Sequence, residues 1–246
     1  MAELFLRPME TCPIHINSEL ETVFVKKGRV RVYTGTGNFD IFENQITVIP
    51  PYRLHGFEKY ENTESSVYMF SNQSASEFFA LCKNKEIKNL SVTLEENIVR
   101  YVESTTDKFL ENVSPFYEKS LLYAFLSEFT RGNSFTQMSF DAFNVNRIIE
   151  HIYLNSTEEI TAKSVAEDFA ISESALNKML INFIGFGFKE FLDVLRIETA
   201  VGLLHKKENN ISHIAYESGF DTLRTFNRVF LRVTGCTPSQ YRKTLA

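Results

Sequence analysis

Arg224, Asn227, Arg228 and Arg232 recur at three- and four-residue intervals, so a helix over this stretch would carry all four on one side. Guanidinium and carboxamide groups presented together are the donors that read base edges in a DNA groove. From Asp221 to the end the basic residues are Arg224, Arg228, Arg232, Arg242 and Lys243, and no acid follows Asp221. Such a cluster suits the phosphates of a nucleic acid. A solvated charged face is the plainer alternative, and the surrounding elements must decide.

Those elements spell a helix, a turn and a helix. Ile211, Ile214 and Ala215 have the spacing of a buried helical stripe, with Ser212 near its start. Gly219 stands where that helix must stop, because a residue without a Cβ enters the left-handed region freely. Asp221 or Thr222 can cap a second helix whose inner face carries Leu223, Phe226, Val229 and Phe230. The pattern has an earlier copy. Val165-Ala166, Ala170-Ile171, Ser172 and Leu176 repeat Ile214-Ala215, Gly219-Phe220, Asp221 and Phe226 at an offset of 49 residues, the last pair displaced by one. Between the copies, Phe188, Phe191, Leu192, Leu195, Thr199 and Leu203 mark one face of a long helix, Phe188 to His205, that would hold two helix-turn-helix units apart.

The last hundred residues resemble the AraC/XylS family of transcription regulators. The matching residues are Ser172, Leu176-Asn177-Lys178, Gly185, Phe188, Phe191-Leu192, Leu195-Arg196, Ala200, Leu203-Leu204, Ile211, Ile214-Ala215, Gly219-Phe220, Phe226, Arg228, Phe230, Gly235, Thr237-Pro238 and Tyr241-Arg242. Lys178, Leu180 and Leu231 depart from the family's usual arginine, phenylalanine and lysine. The resemblance implies base contacts from Ser174, Asn177 and Lys178 in the first recognition helix and from Arg224, Asn227 and Arg228 in the second. An internal salt bridge is the alternative for Arg228. It also implies promoter DNA and RNA polymerase as partners, a homodimer, and activation more often than repression.

Composition is compatible with this. The 246 residues are 43% hydrophobic and 13% aromatic, enough for two modest cores. Net charge is −5, yet from Val145 onward twelve basic residues balance twelve acidic ones, so the acidity lies upstream. Cys12, Cys82 and Cys236 are too few and too scattered for a disulfide frame and suit reduced thiols. Neither a membrane-length apolar run nor an export pattern is evident, so a cytoplasmic location is expected.

The first 72 residues read as short strands: Thr22–Val25, Arg29–Tyr33, Phe39–Phe42, Ile46–Ile49 and Ser66–Phe70, with reversals at Lys27-Gly28 and from Thr34 to Asn38. Even spacing of short strands suggests a small barrel. Glu21 with Gly28, then Asn44, Pro50 and His55, resembles the two cupin motifs, the usual sensor domain of the same family. That likeness aligns His15, Glu21 and His55 with cupin metal ligands, but Asn17 stands in place of one histidine. A hydrogen-bonded barrel mouth is the favoured reading, and no metal or cofactor is expected. Phe24, Tyr52, Arg53 and His55 are expected to line a small-molecule pocket, with Arg53 meeting an anionic effector.

Helical stripes follow at Ala75, Phe78, Phe79 and Cys82, at Leu94, Ile98, Tyr101 and Val102, and between Pro115 and Arg131. By family likeness Tyr117, Leu121, Leu122 and Phe125 are expected in a dimer interface, with an internal core role as the alternative. The expected organisation is an α+β two-domain chain. A cupin-like unit over 1–133 has its barrel in 1–72 and helices in 74–132; a linker spans 134–144; an all-α, homeodomain-like tandem helix-turn-helix domain spans 145–246. Three functions fit: a regulator whose barrel senses a small molecule, the same regulator with a ligandless barrel used for dimerisation or protein contact, and a cupin enzyme. The third finds no nucleophile–base pair or phosphate-cradling glycine loop to support it, so no catalytic residue is expected.

Overall fold

The computed structural model describes residues 5–35, 37–71, 73–82, 85–137, 139–204 and 210–244. It forms two compact units, Met1–Phe143 and Asn144–Ala246.

The first unit runs β1 (Phe5–Pro8), β2 (Cys12–His15), β3 (Leu20–Lys27), β4 (Arg29–Thr34), β5 (Gly37–Phe42), β6 (Gln45–Ile49), β7 (His55–Lys59), β8 (Glu64–Phe70), α1 (Ser76–Cys82), β9 (Lys85–Ile87), β10 (Ser91–Thr93), α2 (Glu96–Glu111), α3 (Pro115–Arg131) and β11 (Phe135–Gln137). One antiparallel sheet has the order β1-β8-β3-β6-β10 and a second β2-β7-β4-β5. Thr36, within the expected reversal from Thr34 to Asn38, lies outside the described residues.

Strand β3 shows how the two sheets divide their side chains. Alternate residues of a strand point to opposite faces. Val23 and Val25 therefore join Met9, Val30, Val32, Ile41, Ile49, Phe57 and Val67 in a buried cluster between the sheets. Leu20 and Phe24 face the other way, into a second core with Tyr68, Phe70 and the apolar stripes of α2 and α3.

Two expected boundaries move. Strand β10 comes from beyond residue 72 and pairs with β6, which covers an edge otherwise left with unpaired backbone groups. The expected linker is not free chain: Phe135–Gln137 pairs with β9, and the helix α4 (Phe140–Leu154) begins soon after.

The second unit continues with α5 (Ala162–Asp168), α6 (Glu173–Ile184), α7 (Phe188–Leu204), α8 (Ile211–Glu217), α9 (Leu223–Thr234) and α10 (Pro238–Thr244). The long helix is described to Leu204, and His205 lies outside the described residues. Ile197, Ala200 and Leu204 of α7 pack with Ile214, Ala215, Phe226, Val229 and Phe230. Leu176, Leu180, Phe188 and Phe191 are buried on the upstream side.

Candidate nucleic-acid interface

The duplication is visible element by element. Helices α5 and α8 have seven residues each, α6 and α9 twelve each. Short helices need their loose N–H groups satisfied, and each has a cap. Thr161 and Ser164 bond reciprocally at the start of α5, each with N···O 3.0 Å. Ser172 accepts from the Ala175 N–H at 3.1 Å, Asn210 from the His213 N–H at 2.7 Å, and Thr222 from the Thr225 N–H at 3.2 Å. Asn210 caps α8, and Ser212 lies in its first turn, near the start as expected. Thr222, not Asp221, caps α9, so the second turn is one residue longer than the first; this accounts for the displaced last pair of the repeat. Gly185 and Gly235 end the two twelve-residue helices with φ of 79° and 77°.

At the two interhelical turns Ala170 (φ 53°) and Gly219 (φ 84°) occupy equivalent left-handed positions. Only one is a glycine. An alanine there loses conformational energy that glycine does not. Ala170→Gly is therefore expected to stabilise the unit by about 0.5–1 kcal/mol, read as a higher urea midpoint with unchanged slope; a lower midpoint would refute it. Gly219 is further constrained by its neighbours. A Cβ added there would lie 2.8 Å from the Thr157 carbonyl oxygen and 2.9 Å from Arg196 Nε. That Nε donates to the Ser156 carbonyl at 2.8 Å, and Nη2 to the Glu158 carbonyl at 2.9 Å. Burial pulls the Arg196 guanidinium below its usual value, opposed by Asp221 and Asp193. Sequence reasoning does not assign this brace, although Arg196 is among the residues that carry the family likeness.

Numbered from their caps, α6 and α9 set Ser174 opposite Arg224, Asn177 opposite Asn227 and Lys178 opposite Arg228. Ser174, Lys178, Arg224, Asn227 and Arg228 are exposed, and none of these five has a hydrogen bond or ion pair through its side chain among the described residues. Arg228 thus does not make the internal salt bridge held as its alternative. Arg232, expected on the same donor face, is instead tied to Asp193 of α7 at 2.7 Å.

Asn177 also differs from its expected role. It is half-buried, its Nδ2 donates to the Glu173 carbonyl at 3.0 Å, and its Oδ1 accepts from the Phe188 N–H at 3.0 Å. Gly187 leaves room for this, since a Cβ there would lie 3.0 Å from that Oδ1. The carboxamide is committed to joining α6 to the first turn of α7. In the second unit the residue equivalent to Phe188 is Pro238, which has no N–H to offer, so Asn227 has no such duty.

The residues expected at other sites are placed differently. His55 is fully buried between the sheets, Tyr52 (φ 59°) and Arg53 are half-buried in the turn before β7, and Phe24 lies on the opposite face of β3 within the helix-covered core. Burial pulls the Arg53 guanidinium below its usual value, opposed by Glu86. The expected pocket is therefore not assembled as a set: period-two alternation puts Phe24 and His55 on different sides of the sheet. Leu121, Leu122 and Phe125 are wholly buried in that same core, and Tyr117 packs against it. They cover the outer face of the β3 sheet within one chain, which corrects the dimer-interface expectation.

A family model described as a helix-turn-helix domain matches residues 165–244. An uncharacterised HTH-type transcriptional regulator of Staphylococcus aureus is 36% identical over 98 residues, 40% of this chain but only 13% of the length of that protein. The uncharacterised HTH-type transcriptional regulator YdiP of Escherichia coli is 24% identical over 250 residues, covering 94% of this chain and 80% of YdiP. Among solved structures, ToxT from Vibrio cholerae superposes with TM-score 0.65 at 19% identity, over 99% of this chain and 97% of ToxT. A second ToxT structure, with an unsaturated fatty acid bound, gives 0.63 at 16% identity over 97% and 94% of the two chains. The two capped, glycine-ended helix pairs braced on one long helix coincide with the helix-turn-helix match, so that over residues 165–244 the chain is similar to AraC-type helix-turn-helix regulators, and along its length it shares the fold of ToxT.

Proposed function

We propose that this chain is a sequence-specific DNA-binding transcription regulator whose two helix-turn-helix units enter successive major grooves on one face of the duplex. The observation that carries the reading is the duplicated helix pair with Ser174 and Lys178 in one copy, and Arg224, Asn227 and Arg228 in the other, exposed and without protein partners among the described residues. Recognition helices separated by one turn of DNA, about 34 Å, would let a single chain read an asymmetric site. Arginine and lysine suit guanine edges or phosphates, and asparagine suits adenine. Asn177 acts by positioning α6 rather than by reading a base. Promoter DNA and RNA polymerase are the macromolecular partners, activation is the mode, and the cytoplasm is the location.

Arg224→Ala is expected to weaken binding by about 1–3 kcal/mol, roughly 5- to 150-fold, and to relax preference at one base pair. Lys178→Ala should do the same in the other half of the site. Fluorescence anisotropy on promoter fragments chosen by genome-wide mapping of bound DNA measures both. A chain that binds no such fragment at low salt overturns the function; substituted chains that keep the parent's sequence preference overturn the residue roles.

Two readings of the barrel each have support. In the first, an anionic effector meets Tyr52 and Arg53 at the rim of β7, a reading supported by the fatty-acid-bound state of ToxT. In the second, the barrel holds no organic ligand and serves pairing of two chains or protein contact. The filled interior favours this, because nine buried apolar residues from Met9 to Val67 pack on one another where a ligand would lie. Native mass spectrometry of the intact chain separates them: an organic mass adduct lost on Arg53→Ala supports the first, its absence the second.

A further inference from the structure

The two recognition helices match one another beyond the donors already described. Counted from their caps, Ser172 and Thr222, the ninth residues are Ile181 and Leu231, at the same step of α6 and α9. Each keeps about half of its surface open, 53% for Ile181 and 49% for Leu231. No other large apolar side chain of α6 or α9 is exposed among the described residues. The outward positions around them, the second, fifth, sixth and tenth, are polar in both copies, ending with Asn182 and Arg232.

A single exposed Ile or Leu is ordinary on a protein surface. A matched pair is not, because across the twelve aligned positions of these helices only Asn177 and Asn227 are identical. Inward positions stay apolar in both copies because the core requires it, whereas the ninth position faces no core. At 3.6 residues per turn it points within about 60° of the second, fifth and sixth positions. It therefore stands in the middle of the donor face, one turn beyond Lys178 in α6 and Arg228 in α9. A partner that meets Lys178 also meets Ile181, and one that meets Arg224 and Arg228 also meets Leu231. Leu231 is moreover a position where the chain departs from the lysine usual in the family it resembles, so a charge is replaced by an aliphatic group.

We infer that Ile181 and Leu231 are specificity residues that read thymine through its 5-methyl group, one in each half of the bound site. The inference rests on the DNA-reading function proposed above and deepens it. In the major groove the thymine methyl is the apolar group among hydrogen-bonding base edges. An aliphatic side chain packed on it separates thymine from cytosine, which carries a hydrogen at that carbon. Arginine and lysine suit guanine, and asparagine suits adenine, but none of Ser174, Lys178, Arg224, Asn227 and Arg228 offers an aliphatic surface at its tip to the methyl. Phosphates are a poor alternative, since they attract charge and hydrogen-bond donors and gain nothing from a butyl group. A protein surface is the other candidate for exposed apolar side chains. It would have to cover the donors flanking Ile181 and Leu231 as well, and one helix face cannot meet bases and a protein at once.

The test uses the full-length chain and a duplex that it enriches from a random-sequence pool. Each thymine of that duplex is replaced in turn by uracil, which removes the methyl and leaves every hydrogen-bonding edge in place, and affinity is read by fluorescence anisotropy. For the parent, at least one uracil in each half of the site is expected to weaken binding about three- to five-fold, the effect of one methyl group returned to water. Ile181→Ala should abolish that loss in one half and leave it in the other, and Leu231→Ala should do the converse. Both positions are exposed, so both variants are expected to keep the parent's urea midpoint. A parent indifferent to every uracil overturns the inference, as do alanine variants that retain the full penalty in both halves. If those variants have instead lost activation of RNA polymerase in a purified transcription assay, the pair is a protein contact. A chain that enriches no sequence overturns the DNA-reading function and this inference with it, whereas indifference to uracil in an enriched duplex overturns this inference alone.

Discussion

Phe125→Ala is expected to lower the stability of the first unit by about 3–5 kcal/mol, the range for deleting a buried phenyl ring. The ring is wholly buried, meets Tyr68 edge-on at 4.8 Å and Phe70 at 6.4 Å, and links α3 to the outer face of the β3 sheet. Alanine would leave a void that the sheet cannot close, since β3 is held between β6 and β8 by antiparallel pairing from Leu20 to Val25. Urea unfolding followed by circular dichroism should show an early transition for this unit, separate from that of the second. The same substitution tests what α3 is for. A variant with a normal midpoint but weakened self-association, seen by sedimentation, would return Phe125 to a surface between two chains.

Gly219→Ala is expected to be nearly as damaging, at about 3 kcal/mol or more in the second unit. Two costs combine. Holding a non-glycine residue in the left-handed region costs about 1–3 kcal/mol. The new methyl would also displace Arg196 or the backbone at Thr157 that it touches. Breaking the arginine's bonds to the Ser156 and Glu158 carbonyls leaves acceptors unmatched, the one on buried Ser156 at about 1–3 kcal/mol. DNA affinity should fall with it, because α9 is aimed by this turn. The opposite sign expected for Ala170→Gly at the equivalent turn makes the pair a control for backbone conformation. Equal midpoints for Gly219→Ala and parent would refute the account.

What can be read from the sequence is what local rules decide. Thr161, Ser172 and Thr237 cap their helices as their types and spacing require, and Gly219 takes the positive φ assigned to it. The strands at Thr22–Val25 and Ile46–Ile49 announce themselves by β-branched residues. Strands β2 and β7 do not: His55–Lys59 is short and half polar, and only pairing with its neighbours makes it a strand. With β2 and β7 hidden, so is the direct opposition of His15 and His55. Periodicity identifies the α3 stripe as apolar but does not say whether a sheet or a second chain covers it. Asn177 shows the same limit: its outward spacing is legible, whereas the Phe188 amide that claims it lies eleven residues away across a turn.

The difference between Phe188 and Pro238 bears on how such a protein could be retargeted. Position 177 carries a structural obligation, so most replacements there would loosen the joint between α6 and α7 before they altered any base preference. Position 227 has no such tie, because its would-be partner is an imino acid. If these helices read DNA as proposed, evolution or a designer can therefore vary position 227 at little risk to folding, whereas position 177 stays comparatively frozen.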